Sequence, residues 1–239
     1  MEKNIDEIRA GAAEFFEFAV AAAFDQHRRH PELSRSRCLA ERSFFRQLLS
    51  GDFLPVCSRV REKIDRAETP EDMKEFIPEI QNIVVERWRD PDDDPEYPKG
   101  HSVRWCLLPG KNWCYLHFHN AVAPKSFLAE TEYMKRELLR EIDDAEKNGP
   151  CDTVFTASWL NSLPAFLRFF PQEWRNNVSA TSDGEFGPTA GWQGQFINRS
   201  GRLNKVTAEY FLRNGVLKYP RTGAHCSLAA LREHLQNMK

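Results

Sequence analysis

Paired cysteines are missing from this chain: its six cysteines are scattered, with no Cys-x-x-Cys pair and no zinc-finger spacing, so reduced thiols are expected. No apolar run is long enough for a bilayer. The most apolar stretch, residues 15–24, is interrupted by Glu17 and covers only about half of a membrane span, so it reads as a buried helix and no membrane partner is expected. Net charge is nearly absent, with 33 Lys and Arg against 35 Asp and Glu, and no overall field draws nucleic acid. The start, Met1 to Glu7, is acidic where a signal peptide is basic, which makes the cytoplasm the expected compartment. Several catalytic signatures are also lacking. No Gly-Lys-Ser/Thr closes a phosphate loop, no clear strand precedes the glycine-rich segment 187–194, and Ser158 lacks the Gly-x-Ser-x-Gly elbow of hydrolases.

What is present is ample apolar and aromatic material for a core, at 41% and 12% of 239 residues. Apolar residues recur at helical spacing in the first part of the chain, as at Ile5, Ile8, Phe15, Ala19 and Ala22, and again at Phe44, Phe45, Leu48 and Leu49. Asp52 and Thr69 read as helix caps, and Pro78 as a kink or restart. Residues 1–89 are therefore expected to be a helical region. Segment 90–100 carries three prolines and four aspartates, which suits a connecting loop. An EF-hand reading of its aspartates fails because Pro95 stands where that loop needs glycine.

Beyond it, 101–108 and 112–120 are rich in β-branched and aromatic residues around Pro109-Gly110-Lys111, which predicts a β-hairpin. An amphipathic helix through Met134, Leu138, Ile142 and Ala145 follows, then a short strand at 153–156. A helix capped by Asn204 and stopped by Gly215 comes next, and a last helix capped by Ser227. The expected class is α+β: a helical N-terminal region followed by a small antiparallel sheet packed with helices, the second region running over 101–239.

His117 and His119, two apart on a strand, leave it on one face together with Trp113 and Tyr115, while Cys114, Leu116 and Phe118 point to the other, core side. A three-residue turn would place His101 opposite His119, Val103 opposite His117 and Cys106 opposite Cys114. Imidazoles gathered this way serve as bases near neutral pH or as neutral metal ligands. His117 and His119 are thus the candidate catalytic residues, with Trp113, Tyr115, Asn120, Trp159, Trp192 and Gln195 as candidate substrate contacts. Should the loop around His225 and Cys226 return to the hairpin, His117, His119 and His225 could hold a divalent metal such as zinc.

The order of the Trp105 hairpin, Leu116-His117-Phe118-His119, a helix and then Thr156-Ala157-Ser158-Trp159-Leu160 resembles the carboxy-terminal domain of GNAT-like acyltransferases over residues 101–175. His119 departs from that pattern, which has proline there, and the family's Gln/Arg-x-x-Gly-x-Gly/Ala pyrophosphate loop is absent. The resemblance implies an acyl donor as cosubstrate. The leading expectation is an enzyme acting on a small molecule, by acyl transfer, with His117 or His119 as general base. The same histidines with His225 also suit a metalloprotein, and an expectation of another class is a non-catalytic binding module whose helical first half docks a partner.

Overall fold

The computed structural model describes residues 4–49, 55–87, 100–182, 184–187 and 191–238. The expected Asp52 cap, Trp88, segment 90–99 and positions 188–190 of the glycine-rich segment lie outside the described residues. The chain divides into two compact units. The first is Met1–Trp88 with Phe186–Lys218, and the second is Arg89–Glu185 with Tyr219–Lys239.

Among the described residues between 4 and 87 all regular structure is helical, as the periodicity predicts. Helix α1 (Ile5–Arg29) opens with Asn4 accepting from the Asp6 N–H at 3.1 Å, carries acids in its first turn and His27, Arg28 and Arg29 in its last, and so opposes its own dipole at both ends. It is buried on several sides because α2 (Arg35–Glu41), α3 (Phe45–Leu49) and α5 (Ile77–Arg87) pack on it, with Phe15 stacked on Phe44 at 4.4 Å. The unit also contains α4 (Pro55–Arg66) and a 3₁₀ segment, Pro70–Phe76, opened by a Thr69–Asp72 capping box. Pro78 falls in the first turn of α5, where its missing N–H costs no helical bond.

The later segment adds α9 (Lys205–Asn214), which ends at Gly215 with φ 73°. Arg29 lies across that glycine and donates to Leu212 O and Arg213 O at 3.4 and 3.0 Å, and a Cβ at 215 would collide with it. Asn204 stands at the N-cap of α9, but its side chain donates to Gln195 O at 3.2 Å instead of capping.

The second unit is built on β1 (Val103–Leu107), β2 (Trp113–Phe118), β3 (Thr153–Ser158), β4 (Ser179–Ala180) and β5 (Thr222–Ser227), in the order β1-β2-β3-β5-β4. The expected antiparallel sheet is mixed. Helix α6 (Thr131–Asn148) carries the chain back along the sheet, so β3 starts at the same end as β2 and pairs parallel to it, while the other pairs are antiparallel.

The hairpin register differs from the expected one by one residue. Leu108 donates to Trp113 O and accepts from Lys111 N–H at 3.1 Å, which makes 108–111 a turn with Pro109 and positive-φ Gly110 at its centre. The connection is therefore longer than three residues, and Val103 faces Phe118, Arg104 faces His117 and Cys106 faces Tyr115. His225 and Cys226, expected in a loop, are in strand β5 between β3 and β4.

One sheet face forms the second core: Val103, Cys114, Leu116, Val154, Ala224 and Cys226 are buried against Met134, Leu138 and Ile142 of α6 and Leu231 and Leu235 of α10 (Leu228–Asn237). Each fully buried Leu or Val side chain stabilises by about 1.5–3 kcal/mol. Ser227 caps α10 by accepting from the Ala230 N–H at 3.2 Å.

Candidate functional site

The residues alternating with that core project from the opposite face. Arg104, Cys106, Trp113, Tyr115, His117, Phe155 and His225 share it, because directly paired residues lie on one side of a sheet. The rings form a continuous layer: Tyr115 meets His117 at 4.5 Å and Phe155 at 5.4 Å, Phe155 meets Trp113 at 5.8 Å, and Trp113 stacks on His225 at 5.0 Å. Lys111 Nζ lies 3.8 Å above the Trp113 ring at the turn end. These five rings are half-buried, which leaves each with area to offer a planar ligand.

His117 Nε2 is 3.2 Å from Cys106 Sγ. Burial removes water that would solvate an imidazolium, and the facing Arg104 charge adds to that cost, so the His117 pKa falls from 6.5 to about 4. The ring is therefore neutral across the physiological range. Burial likewise raises the Tyr115 hydroxyl, which donates to Ala157 O at 3.3 Å. Beneath this site, Glu137 of α6 is held by the Ser102 N–H at 2.9 Å and faces His101 Nδ1 at 3.0 Å, with its carboxyl pushed up by burial.

The other expected site residues are spread more widely. His119 follows the last residue of β2, and its N–H bonds Ser102 O at 3.0 Å. Asn120 uses both ends of its amide in the following loop, donating to Lys125 O at 2.8 Å and accepting from the Phe127 N–H at 3.2 Å. Trp159 meets Tyr219 at 5.8 Å. Trp192 and Gln195 belong to the first unit, where Trp192 packs on Phe186 at 5.2 Å and the Gln195 amide donates to Trp192 O at 2.9 Å. His225 reaches the hairpin face through Trp113, with β3 between its strand and that of His117. Among the described residues no group of three or more His, Cys, Asp or Glu side chains converges as a metal site requires.

Arg104, Cys106 and Phe155 were not candidates from the sequence. The first two join the site only through the register, which the Pro109-Gly110 turn sets. No family model, curated protein or solved structure matches this chain.

Proposed function

We propose that the second unit is a small-molecule transferase, with acyl transfer as the reaction class and His117 as general base. The observation that carries this reading is a half-buried imidazole, neutral at physiological pH, on a face floored by Trp113, Tyr115 and Phe155 and flanked by the positive charge of Arg104. A base of pKa about 4 does not strip a nucleophile at rest. It accepts the proton as the new bond forms and the attacking atom becomes acidic. Arg104 is placed to stabilise negative charge developing on an attacked carbonyl oxygen. The resemblance of residues 101–175 to acyltransferases is what favours acyl transfer over other transfers.

The stacked Trp113 and His225 rings favour a second reading, a binding face for a planar ligand without chemistry. The two separate on one experiment. Purified protein is given acetyl-CoA or p-nitrophenyl acetate with a panel of small amines and alcohols, alongside His117→Gln. The transferase reading expects acyl transfer that falls by about 10²–10⁴-fold in the variant, with melting little changed. Planar ligands that bind both proteins with no transfer by either would leave the binding face.

A further inference from the structure

We propose that Cys106 is the covalent acyl carrier of this site, so that transfer runs through a thioester on the enzyme. The proposal rests on the acyl-transfer reading above. Its basis is a pair of groups from adjacent strands: Cys106 is an exposed residue on the sheet face, and its sulfur is 3.2 Å from His117 Nε2, within the range of a nucleophile and its base. The other cysteines do not combine these properties. Cys38, Cys57, Cys114 and Cys226 are buried, and Cys151 is half-buried with its thiol pushed up by burial.

The surroundings suit the chemistry. Cys106 pairs directly with Tyr115, whose ring adjoins Phe155, so an acyl group on the sulfur would lie along the aromatic layer. Arg104, two residues earlier on the same strand face, brings positive charge to the side where a tetrahedral oxyanion forms. Lys111 over Trp113 provides a cation at the far end of that layer for a negatively charged donor.

Two displacements complete the cycle. In the tautomer with its proton on Nδ1, His117 accepts a hydrogen bond from the S–H at Nε2 and takes that proton as the sulfur bonds to carbon. The sulfur attacks the carbonyl carbon of an activated ester or thioester donor, and the carbon–leaving-group bond breaks. The leaving group departs with the proton from Nε2. An amine or alcohol acceptor then attacks the Cys106 thioester, His117 takes its proton, the carbon–sulfur bond breaks, and the sulfur regains the proton from His117. No redox change occurs, and the only co-reactants are the acyl donor and the acceptor.

The test uses the full chain and p-nitrophenyl acetate, reading p-nitrophenolate release and acetyl mass on intact protein quenched in acid. The expected result is a burst of about one equivalent, with acetyl on the peptide containing Cys106, and discharge on adding an amine acceptor. Cys106→Ser should reduce the burst by at least about 10²-fold while melting as the parent does, His117→Gln should slow it comparably, and Cys151→Ala should keep it. Transfer that depends on His117 but survives Cys106→Ala, with no acetyl on that peptide, would overturn the covalent route and leave direct transfer standing. Transfer that is absent, or indifferent to both residues, would overturn the underlying reading instead.

Discussion

The two faces of the second unit's sheet are made from the same strands, residue by residue in alternation, yet they are composed for different ends. Toward α6 and α10 lie Val103, Cys114, Leu116, Val154, Ala224 and Cys226, each at 1% exposure or less. One position along, the other face carries Arg104, Trp113, Tyr115, His117, Phe155 and His225, all half-buried and nearly all bearing nitrogen or oxygen. Cysteine shows the contrast within one residue type. Burial pushes the thiols of Cys114 and Cys226 up, while Cys106 is exposed. The period of two puts the apolar, closed positions on one face and the aromatic and polar, half-open ones on the other.

Truncation should separate the faces most strongly. Leu116→Ala leaves a cavity in a closed core and is expected to cost about 2–5 kcal/mol, whereas His117→Gln one position on should cost less than about 1 kcal/mol. Urea unfolding of both variants measures this, and equal losses would break the comparison. A smaller effect is expected at Gly223, on the ring face, where an added Cβ would meet the Phe155 ring at 3.1 Å. Gly223→Ala should cost about 1–2 kcal/mol and shift the near-ultraviolet circular dichroism of the ring layer.

Acid should sharpen the contrast, since the two sides have opposite linkage. His117 has a folded pKa below its ordinary 6.5, so its titration leaves stability unchanged above 6.5 and lowers it as pH falls toward about 4, by on the order of 1–3 kcal/mol once solvent screening of the half-buried ring is allowed for. Glu137, raised above 4.5 by burial, contributes stability that is present below 4.5 and is lost as pH rises through its folded value. Unfolding free energies measured across acid pH should flatten in His117→Gln, and in Glu137→Gln should lose the opposing slope. If both variants follow the parent, the assigned environments are wrong. The smallest effect is expected at Cys106→Ala, within about 0.5 kcal/mol of the parent. Iodoacetamide should alkylate Cys106 in the native protein well before Cys114 or Cys226, as peptide mass mapping would show.

Much of this frame was legible beforehand. Helical spacing marked α1 and the capping residues Thr69 and Ser227, Gly215 marked the end of α9, and alternation assigned Cys114 and Leu116 to the core. What failed to show has physical causes. In β5 the alternation is carried by Gly223 and Ala224, residues with weak strand preference, and pairing with β3 supplies the order that local propensity does not. The candidate pair of Cys106 and His117 depends on a one-residue difference in turn length, because a slip by one sends every side chain of β1 to the other face.

The place of β5 in the sheet bears on the order in which a growing chain can acquire structure. Between β4 and β5 the chain completes Phe186–Lys218 of the other unit. During synthesis the first unit thus has all its segments before the second has the strand that bonds both β3 and β4. Until Thr222–Ser227 emerges, β3 has a bare edge of N–H and C=O groups beside an aromatic face. Such an edge invites pairing with other chains, so the interval between translating Ser158 and Ser227 is one in which a nascent chain is open to wrong association and to capture by a chaperone.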